Sequence, residues 1–263
     1  MKILTLAMQV PDSRAALKIS PGGKSLETRD LKLICNPFDE FAVEQAVQLK
    51  EQRSDVEEIV VATIGAEKPN QAIRTALAMG ADRGIQLCDD IFSGQDEILL
   101  AEALAAAIRL QETTFDLILC GKQAIDTDSG EFGPALAEFL DLPHVGAVVK
   151  LDISEDGTSL RAHRRIEGAE EIVECPLPAL ITCEKGLIEP RYPSLPNLMK
   201  AKKKPLQILA ASDLPEPGCL TPGLQLLELT PPAPRPPCTF IEGPPEKMAR
   251  ELVKRLRDEA KVI

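Results

Sequence analysis

The chain has 263 residues, of which 44% are hydrophobic, and its formal net charge is −11. This length and apolar content suffice for one large α/β domain, or for one such domain with an extension. The acidic balance argues against a nucleic-acid partner, which needs a basic surface to neutralise phosphates. No segment reaches the roughly 18 apolar residues of a spanning helix, so we do not expect an integral membrane protein.

The first 145 residues alternate short apolar runs with amphipathic helices. Strands are predicted at Ile3–Ala7, Glu58–Ile64, Gly84–Leu87 and Asp116–Cys120. Regular alternation of strand and helix predicts parallel strands joined by right-handed crossovers, hence a doubly wound, mostly parallel α/β sheet. Ligands of such sheets bind beyond the carboxyl ends of the strands.

The helices between these strands have clear start and stop signals. Asn36 is a candidate N-cap followed by Pro37 at the first helical position. A second helix is predicted to start at Pro69 and to end before Gly80. A third covers Glu97–Leu110, with apolar residues at helical spacing.

After residue 145 the pattern changes. Residues 146–176 predict a β-hairpin excursion, and one more core strand follows at Leu180–Cys183. We therefore expect an α/β nucleotide-binding domain over residues 1–210. Residues 211–244 are rich in proline and predict an extended connector to a C-terminal arm, a helix over 245–263 with Met248, Leu252 and Leu256 on one face.

Residues 121–134 form a loop that follows a strand and precedes a helix. Its glycines allow close approach of a ligand, and the N–H groups of Ser129–Phe132 are placed to bind a phosphate. Three carboxylates oppose a bare phosphate and suit ribose hydroxyls or adenine nitrogens better: Asp126, Asp128 and Glu131. Neither Walker nor G-x-G-x-x-G spacing is present, so the loop by itself is a weak nucleotide signal.

Chemistry of other kinds has little support in the sequence. Seven cysteines are scattered without a C-x-x-C pair, and only two histidines are present. We therefore expect no metal site, no disulfide framework and a reducing, cytoplasmic location. No nucleophile and base are grouped, so a protein that holds a cofactor without catalysing bond chemistry is the better interpretation.

The recognition loop, residues 184–204, holds the most informative stretch. Pro193 and Pro196 predict an extended conformation for the part from Arg191 onward. An apolar group is followed by four lysines within five positions, which is unexpected on an acidic body: Leu195, Leu198, Met199, then Lys200, Lys202, Lys203 and Lys204. This combination indicates a surface that docks a partner.

Four separated motifs resemble the β subunit of electron transfer flavoprotein. They are Asn36–Glu44, Arg74–Gly84, Gly121–Asp126 and Glu189–Lys204, and the similarity covers roughly residues 1–210 in the family's order. The resemblance implies a flavodoxin-like, adenine-nucleotide-binding fold that pairs with an α subunit, which holds most of the FAD. It also implies electron uptake from acyl-CoA dehydrogenase-type donors and delivery to a quinone-linked acceptor.

The resemblance further implies two sets of site residues. A cofactor site holding AMP would use Ala7, Asn36, Pro37, Phe38, Asp39, Ile64, Gly65, Gly121, Gln123, Asp126, Asp128, Ser129, Gly130, Glu131 and Phe132. A partner-binding site for the donor would use Leu195, Pro196, Leu198, Met199 and Lys200. In the family a leucine at the place of Leu195 anchors the dehydrogenase.

The resemblance leaves the identity of the β-subunit nucleotide open. Gly130–Phe132 replaces the Asn-Gln-Thr that is usual in the respiratory branch, and Gln9–Ser13 is more similar to the electron-bifurcating branch. There a second FAD replaces AMP and receives hydride from NADH. The loop at Asp126–Glu131, however, lacks the usual bifurcating sequence, and the lysine-rich recognition loop is of the respiratory type. A stand-alone adenine-nucleotide sensor on the same sheet is a third hypothesis.

Overall fold

The computed structural model describes residues 1–27, 29–66, 71–94, 96–111, 113–215, 221–235 and 237–263. The chain divides into two compact units, Met1–Leu229 and Thr230–Ile263. Across the described residues, no helix is both long and apolar enough to cross a membrane.

The first unit is built on one large sheet and a small two-stranded one. The strands are β1 (Lys2–Leu6), β2 (Gln9–Pro11), β3 (Leu33–Cys35), β4 (Glu58–Gly65), β5 (Arg83–Cys88), β6 (Leu117–Gly121), β7 (His144–Ile153), β8 (Ser159–Ile166), β9 (Ala169–Pro176), β10 (Ala179–Cys183) and β11 (Leu206–Leu209). The helices are α1 (Pro37–Gln52), α2 (Gln71–Met79), α3 (Glu97–Arg109), α4 (Phe132–Phe139), α5 (Leu195–Ala201) and, in the second unit, α6 (Pro245–Asp258).

The large sheet has the strand order β11-β5-β4-β1-β6-β10-β7-β8-β9. Its strands run parallel from β11 to β7, and the β8–β9 hairpin extends it antiparallel at one edge. β1 is central, with Ile3 aligned to Ile59 of β4 on one side and to Leu117 of β6 on the other. The predicted doubly wound, mostly parallel sheet is confirmed.

Helices cover both faces of this sheet. Apolar residues of α1 and α2 pack on one face and those of α3 and α4 on the other, in two buried clusters. Strand β1 leads through α1 to β4 on one side, whereas β6 lies on its other side and leads into α4. The chain therefore diverges above the carboxyl ends of β1 and β6, which is where doubly wound sheets form a ligand crevice.

Several predicted elements differ from those observed. The strands β2, β3 and β11 are too short, at three to four residues, to show an alternating pattern in the sequence. The hairpin excursion is present, but β7 and β8 pair into the main sheet itself. The predicted start of the second helix at Pro69 lies outside the described residues, and α2 is described from Gln71.

The prediction of an extended backbone throughout residues 191–204 is wrong. Leu195–Ala201 forms the helix α5, and Ser194 is its N-cap, accepting a hydrogen bond from Asn197 N at 3.4 Å. Pro196 lies in the first turn, where its missing N–H costs no intrahelical bond. The prolines therefore fix the start of a helix here.

Residues of the predicted connector are only partly described. Between Leu214 and Pro244 the described residues form no helix or strand, and 216–220 and 236 lie outside the description. Gly223 and Leu224, which belong to the first unit, are joined to the start of α3, because their N–H groups donate to Asp96 Oδ2 at 2.9 and 3.1 Å. Asp96 also caps α3 through Leu99 N at 2.8 Å. Burial would raise the pKa of Asp96, but these backbone donors together hold it below its usual value of 3.8.

Candidate functional site

A cleft of about 320 Å³ opens above the carboxyl ends of β1, β4 and β6. Its walls come from the end of β1 and the following turn, the end of β4, the start of α3 and the loop after β6. They comprise Leu6, Met8, Gln9, Val10, Asn36, Asp39, Ile64, Gly65, Phe92, Gly94, Glu97, Leu100, Cys120, Gly121, Lys122, Gln123, Ala124, Asp126, Thr127 and Phe132. Apolar walls with a few converging polar groups are typical of small-molecule sites.

Asn36 connects two walls of the cleft. Its backbone N–H donates to Met8 O at 2.9 Å, and its side-chain amide donates to Gln123 O at 3.0 Å. The sequence predicted that this side chain caps α1. Asn36 does precede α1, but its side chain makes no capping hydrogen bond and reaches across to the loop after β6 instead. Asn36 is 2% exposed and its Oδ1 has no hydrogen-bond partner. An acceptor left unpaired in a buried position costs free energy.

Asp39 fixes the floor of the cleft. Its carboxylate accepts the N–H of Met8 at 2.8 Å and that of Gly121 at 2.7 Å, so it joins the ends of β1 and β6 to the first turn of α1. Burial raises the pKa of Asp39, and the two backbone donors oppose that rise by stabilising the anion. The carboxylate is therefore a structural acceptor with both oxygens in use.

Gly121 is required at the end of β6. A Cβ there would lie 2.6 Å from Phe38 Cβ and 2.7 Å from Asp39 Oδ1. Contacts this short force a displacement of backbone that is already hydrogen-bonded to Asp39. Only glycine lets the loop after β6 start this close to α1.

The loop after β6 is held by its own side chains and by α3. Gln123 Nε2 donates to Asp128 Oδ1 at 2.6 Å, and Asp128 has a φ of 55°, in the left-handed region. Glu97 accepts Thr127 Oγ1 at 2.5 Å and the backbone N–H of Phe132 at 3.2 Å. At the other end of the loop, Lys122 pairs with Glu184 at 2.8 Å. The charged residues on this cleft wall are three carboxylates, Asp39, Glu97 and Asp126, and one cation, Lys122.

The structure brings together part of the predicted cofactor set. The residues on the cleft wall are Asn36, Asp39, Ile64, Gly65, Gly121, Gln123, Asp126 and Phe132. The residues outside the wall are Ala7, Pro37, Phe38, Asp128, Ser129, Gly130 and Glu131. Ala7 is fully buried next to Met8, Asp128, Ser129 and Glu131 are exposed, and Gly130 is partly buried. Their role in binding stays a prediction.

Sequence reasoning missed other wall residues, above all Glu97 and the apolar Leu6, Phe92 and Leu100. Glu97 lies in the first turn of a helix whose N-terminus follows β5, so its place near the ligand edge could have been inferred from the topology. Its contact with Phe132, 35 residues later, could not.

The tip of the recognition loop exposes an apolar cluster. Leu195 is 78% exposed and Met199 is 63% exposed. Leu198, on the same short helix α5, is 36% exposed. Pro196 and Lys200, also predicted to bind the partner, are exposed. Large apolar side chains gathered at a surface mark an interaction site.

Three cationic contacts hold this helix in place. Arg74 of α2 donates to Ala201 O at the end of α5, at 3.0 Å. Lys204 donates in return to Leu77 O and Ala81 O at the end of α2, at 2.9 and 2.5 Å. Lys204 therefore does not belong to the exposed lysine cluster: it caps a helix, and burial lowers its pKa. Lys202 and Lys203 are exposed.

The third contact is Arg191, where the recognition loop crosses α1. Its guanidinium donates to Glu44 at 2.8 and 2.9 Å and to Glu51 at 2.7 and 2.9 Å. Its backbone N–H also donates to Glu44 at 3.1 Å. Bonding to both carboxylates raises the pKa of Arg191 and lowers that of Glu51. The apolar tip is thus presented from a fixed base.

Known proteins provide an independent comparison. A family model described as "Electron transfer flavoprotein domain" matches residues 25–214. The electron transfer flavoprotein subunit beta of Bacillus subtilis (strain 168) is 39% identical over 265 residues, covering 100% of both chains. That of Bradyrhizobium diazoefficiens is 37% identical over 264 residues, again covering 100% of both. The human subunit beta is 38% identical over 216 residues, 81% of this chain and 83% of the human one.

Proposed function

This chain belongs to the β-subunit family of electron transfer flavoproteins, and from that premise we propose that it is the β half of a heterodimeric electron carrier. It pairs with an α subunit that holds most of the FAD. Electrons arrive from acyl-CoA dehydrogenase-type flavoenzymes and leave through this FAD to a quinone-linked acceptor. The subunit contributes binding and orientation, without a catalytic residue of its own. We place it in the cytoplasm, because its seven cysteines are scattered along the sequence without a C-x-x-C pair.

The cleft above β1 and β6 is the observation that carries the nucleotide part of this proposal. It lies at the divergence point of a doubly wound sheet, and Gln123 and Asp126 are among the polar residues on its wall. An amide or carboxylate oxygen accepts a hydrogen bond from an adenine amine or a ribose hydroxyl. We propose that AMP occupies the cleft, as a structural ligand that joins α1 to the loop after β6.

The size of the cleft supports AMP over a second FAD. Its volume of about 320 Å³ lies at the small end of the range of about 300–1,000 Å³ typical of ligand pockets. A mononucleotide suits this space better than a dinucleotide does. The rest of an FAD would extend beyond these walls.

The bifurcating alternative has one specific observation in its favour. Gln9 and Val10, from the segment more similar to that branch, lie on the cleft wall. In that case a second FAD would sit here and oxidise NADH.

Nucleotide analysis separates these functions. The chain is co-expressed with its α subunit, the heterodimer is denatured, and the released nucleotides are quantified by mass spectrometry. One FAD and one AMP per heterodimer are expected. Two FAD per heterodimer, together with flavin reduction by NADH, would select the bifurcating type. A stable monomer without an α partner would contradict the carrier proposal and favour the sensor.

The exposed tip of α5 supports the donor-docking part of the proposal. Leu195 and Met199 form a small apolar anchor, and Lys200, Lys202 and Lys203 surround it with positive charge on an acidic protein. Charge of this kind steers association, while the buried apolar contact determines dissociation.

Leu195→Ala tests the anchor. The variant should slow electron uptake from an acyl-CoA dehydrogenase by roughly tenfold or more, as expected for a hot-spot residue, with unchanged flavin content. Leu110→Ala is a matched control, because Leu110 is also exposed, at 41%, but follows α3 far from the recognition loop in sequence. Equal transfer rates for both variants and the parent would refute the anchor.

A further inference from the structure

Helix α5, which carries the apolar tip of the recognition loop, has only seven residues. An isolated helix of this length is marginal in water, because forming its first turn costs more conformational entropy than its few hydrogen bonds return. One local bond supports it, from Asn197 N to Ser194 Oγ at 3.4 Å. Its large apolar side chains are exposed, Leu195 at 78% and Met199 at 63%, so they contribute little burial. The helical state of α5 therefore depends on contacts with other elements.

Helices α1 and α2 supply those contacts. Arg191, just before α5, donates to Glu44 in the middle of α1 at 2.8 and 2.9 Å. At the other end of α5, Ala201 is 1% exposed and its carbonyl accepts Arg74 of α2 at 3.0 Å. Lys204 donates in return to two backbone carbonyls at the end of α2, at 2.9 and 2.5 Å. One helix therefore holds the start of α5 and another holds its end.

The same two helices begin at the cleft. Asp39, in the first turn of α1, accepts the N–H of Met8 at 2.8 Å and that of Gly121 at 2.7 Å. Gln71, the first residue of α2, donates its N–H to the side chain of Gln9 at 2.6 Å. Met8, Gly121 and Gln9 all lie on the cleft wall. Each helix is thus bonded to the cleft wall at its N-terminus and to the recognition loop further along.

This arrangement gives a ligand in the cleft an effect on α5. A ligand bound between the walls restricts the relative motion of the cleft residues to which α1 and α2 are bonded. Segments held by few contacts open locally at a small cost in free energy, and a ligand that reduces motion at their anchors makes that opening rarer. The helical and open states of α5 are the two states that such a coupling requires.

We propose that ligand occupancy of the cleft and donor docking at α5 are thermodynamically coupled through α1 and α2, with the pair of Glu44 and Arg191 as the positioning link on the α1 side. The inference rests on the proposed function, in which an adenine nucleotide binds the cleft and α5 binds the donor. It gives the nucleotide a regulatory effect on the docking surface. Coupling is reciprocal, so a docked donor tightens nucleotide binding by the same factor.

Hydrogen exchange of the heterodimer with and without AMP tests the coupling. The chain is co-expressed with its α subunit and stripped of nucleotide, and exchange is followed by mass spectrometry. AMP should slow exchange in α5 at least about fivefold, the lower end of typical coupling between sites. Strand β9 is the comparison segment, because it is the edge strand of the sheet and pairs only with β8. Exchange in β9 should slow by less than about twofold.

Glu44→Gln and Glu51→Gln test the link. Both remove one carboxylate from α1, and both residues bond to Arg191, but the Glu44 side chain is 2% exposed and that of Glu51 is 57% exposed. In Glu44→Gln the slowing that AMP causes in α5 should fall to about half or less, because the buried pair is lost. Glu51→Gln is the matched control and should leave that slowing unchanged, since an exposed pair contributes little.

The outcomes are distinguishable. If AMP binds but slows exchange equally in α5 and β9, it only stabilises the fold as a whole, so the inference is overturned and the proposed function stands. The same holds if AMP binds and exchange in α5 does not change. If AMP slows exchange in α5 equally in the parent and in both variants, the link through Glu44 is refuted. If AMP does not bind the heterodimer, the nucleotide part of the proposed function falls together with the inference.

Discussion

The Arg191 clamp gives the sharpest test of how the recognition loop is held. Glu44 is 1% exposed and accepts three N–H groups of Arg191, while the guanidinium also bonds to the exposed Glu51. Arg191→Met would leave the Glu44 carboxylate buried with only Gln48 and the backbone N–H of residue 191 as donors. An uncompensated buried carboxylate is much less stable than a paired one.

The expected cost follows from this geometry. Breaking a fully buried ion pair costs about 3–5 kcal/mol. Because the Arg191 side chain is 34% exposed, we expect Arg191→Met to lower the free energy of unfolding by about 2–3 kcal/mol. Glu44→Gln leaves Arg191 bonded to Glu51 and should cost less, about 1–2 kcal/mol. In the double variant the buried charge is absent, so the two losses should not add.

Urea denaturation of the two single variants, the double variant and the parent provides the assay. A coupling energy of about 1 kcal/mol or more between the two positions is expected. Arg161→Met is the control, because Arg161 and Glu174 form an ion pair on exposed strands and its loss should leave the midpoint unchanged. If Arg191→Met were no more destabilising than Arg161→Met, the clamp would not be structural, and the fixed base of α5 would need another explanation.

Three further predictions follow from individual contacts. Gly121→Ala should cost about 1–3 kcal/mol in thermal or urea denaturation, because its Cβ meets Phe38 and Asp39, whereas Gly22→Ala has open space and should be silent; equal stability of the two variants would contradict the close approach at the end of β6. Lys204→Gln should lower the thermal midpoint, because it leaves carbonyls of α2 unpaired, and it should not change association with the donor. Lys203→Gln should slow association and flatten its salt dependence without changing stability. The reverse pattern would place Lys204 in the docking surface. Asp96→Asn should be less stable than the parent at neutral pH. Because the folded-state pKa of Asp96 is lowered, the difference in stability between variant and parent should close as the pH falls below 3.8 towards that pKa. A difference that widened in acid would mean that folding raises the pKa of Asp96.

The large elements of this fold were accessible from local patterns. Some segments are long enough for their pattern to indicate their secondary structure. They are the apolar runs Glu58–Gly65 and Leu117–Gly121 and the helically periodic segment Glu97–Arg109. Alternation of these elements implies a parallel sheet with its ligand site above the carboxyl ends, since crossovers have one hand. The cleft lies at that edge.

The short elements depended on partners that the local sequence does not contain. Leu206–Leu209 is a strand because it pairs with β5, and Leu195–Ala201 is a helix because Ser194 caps it and Arg74 and Lys204 join it to α2. Short segments have little intrinsic preference, so tertiary contacts decide their conformation.

The sequence by itself determined the sheet and its family, and it indicated the segments proposed to bind a nucleotide and a partner, because those depend on periodicity and on motifs that are contiguous in the chain. Only the tertiary structure decided what individual side chains do within these segments. Asn36 donates its side-chain amide to the loop after β6 instead of capping α1, Lys204 caps a helix instead of being a docking charge, and Glu97 is the anion at the N-terminus of α4. Each of these roles depends on a partner 35 to 127 residues away, and spacing along a chain carries no information about contacts of that range.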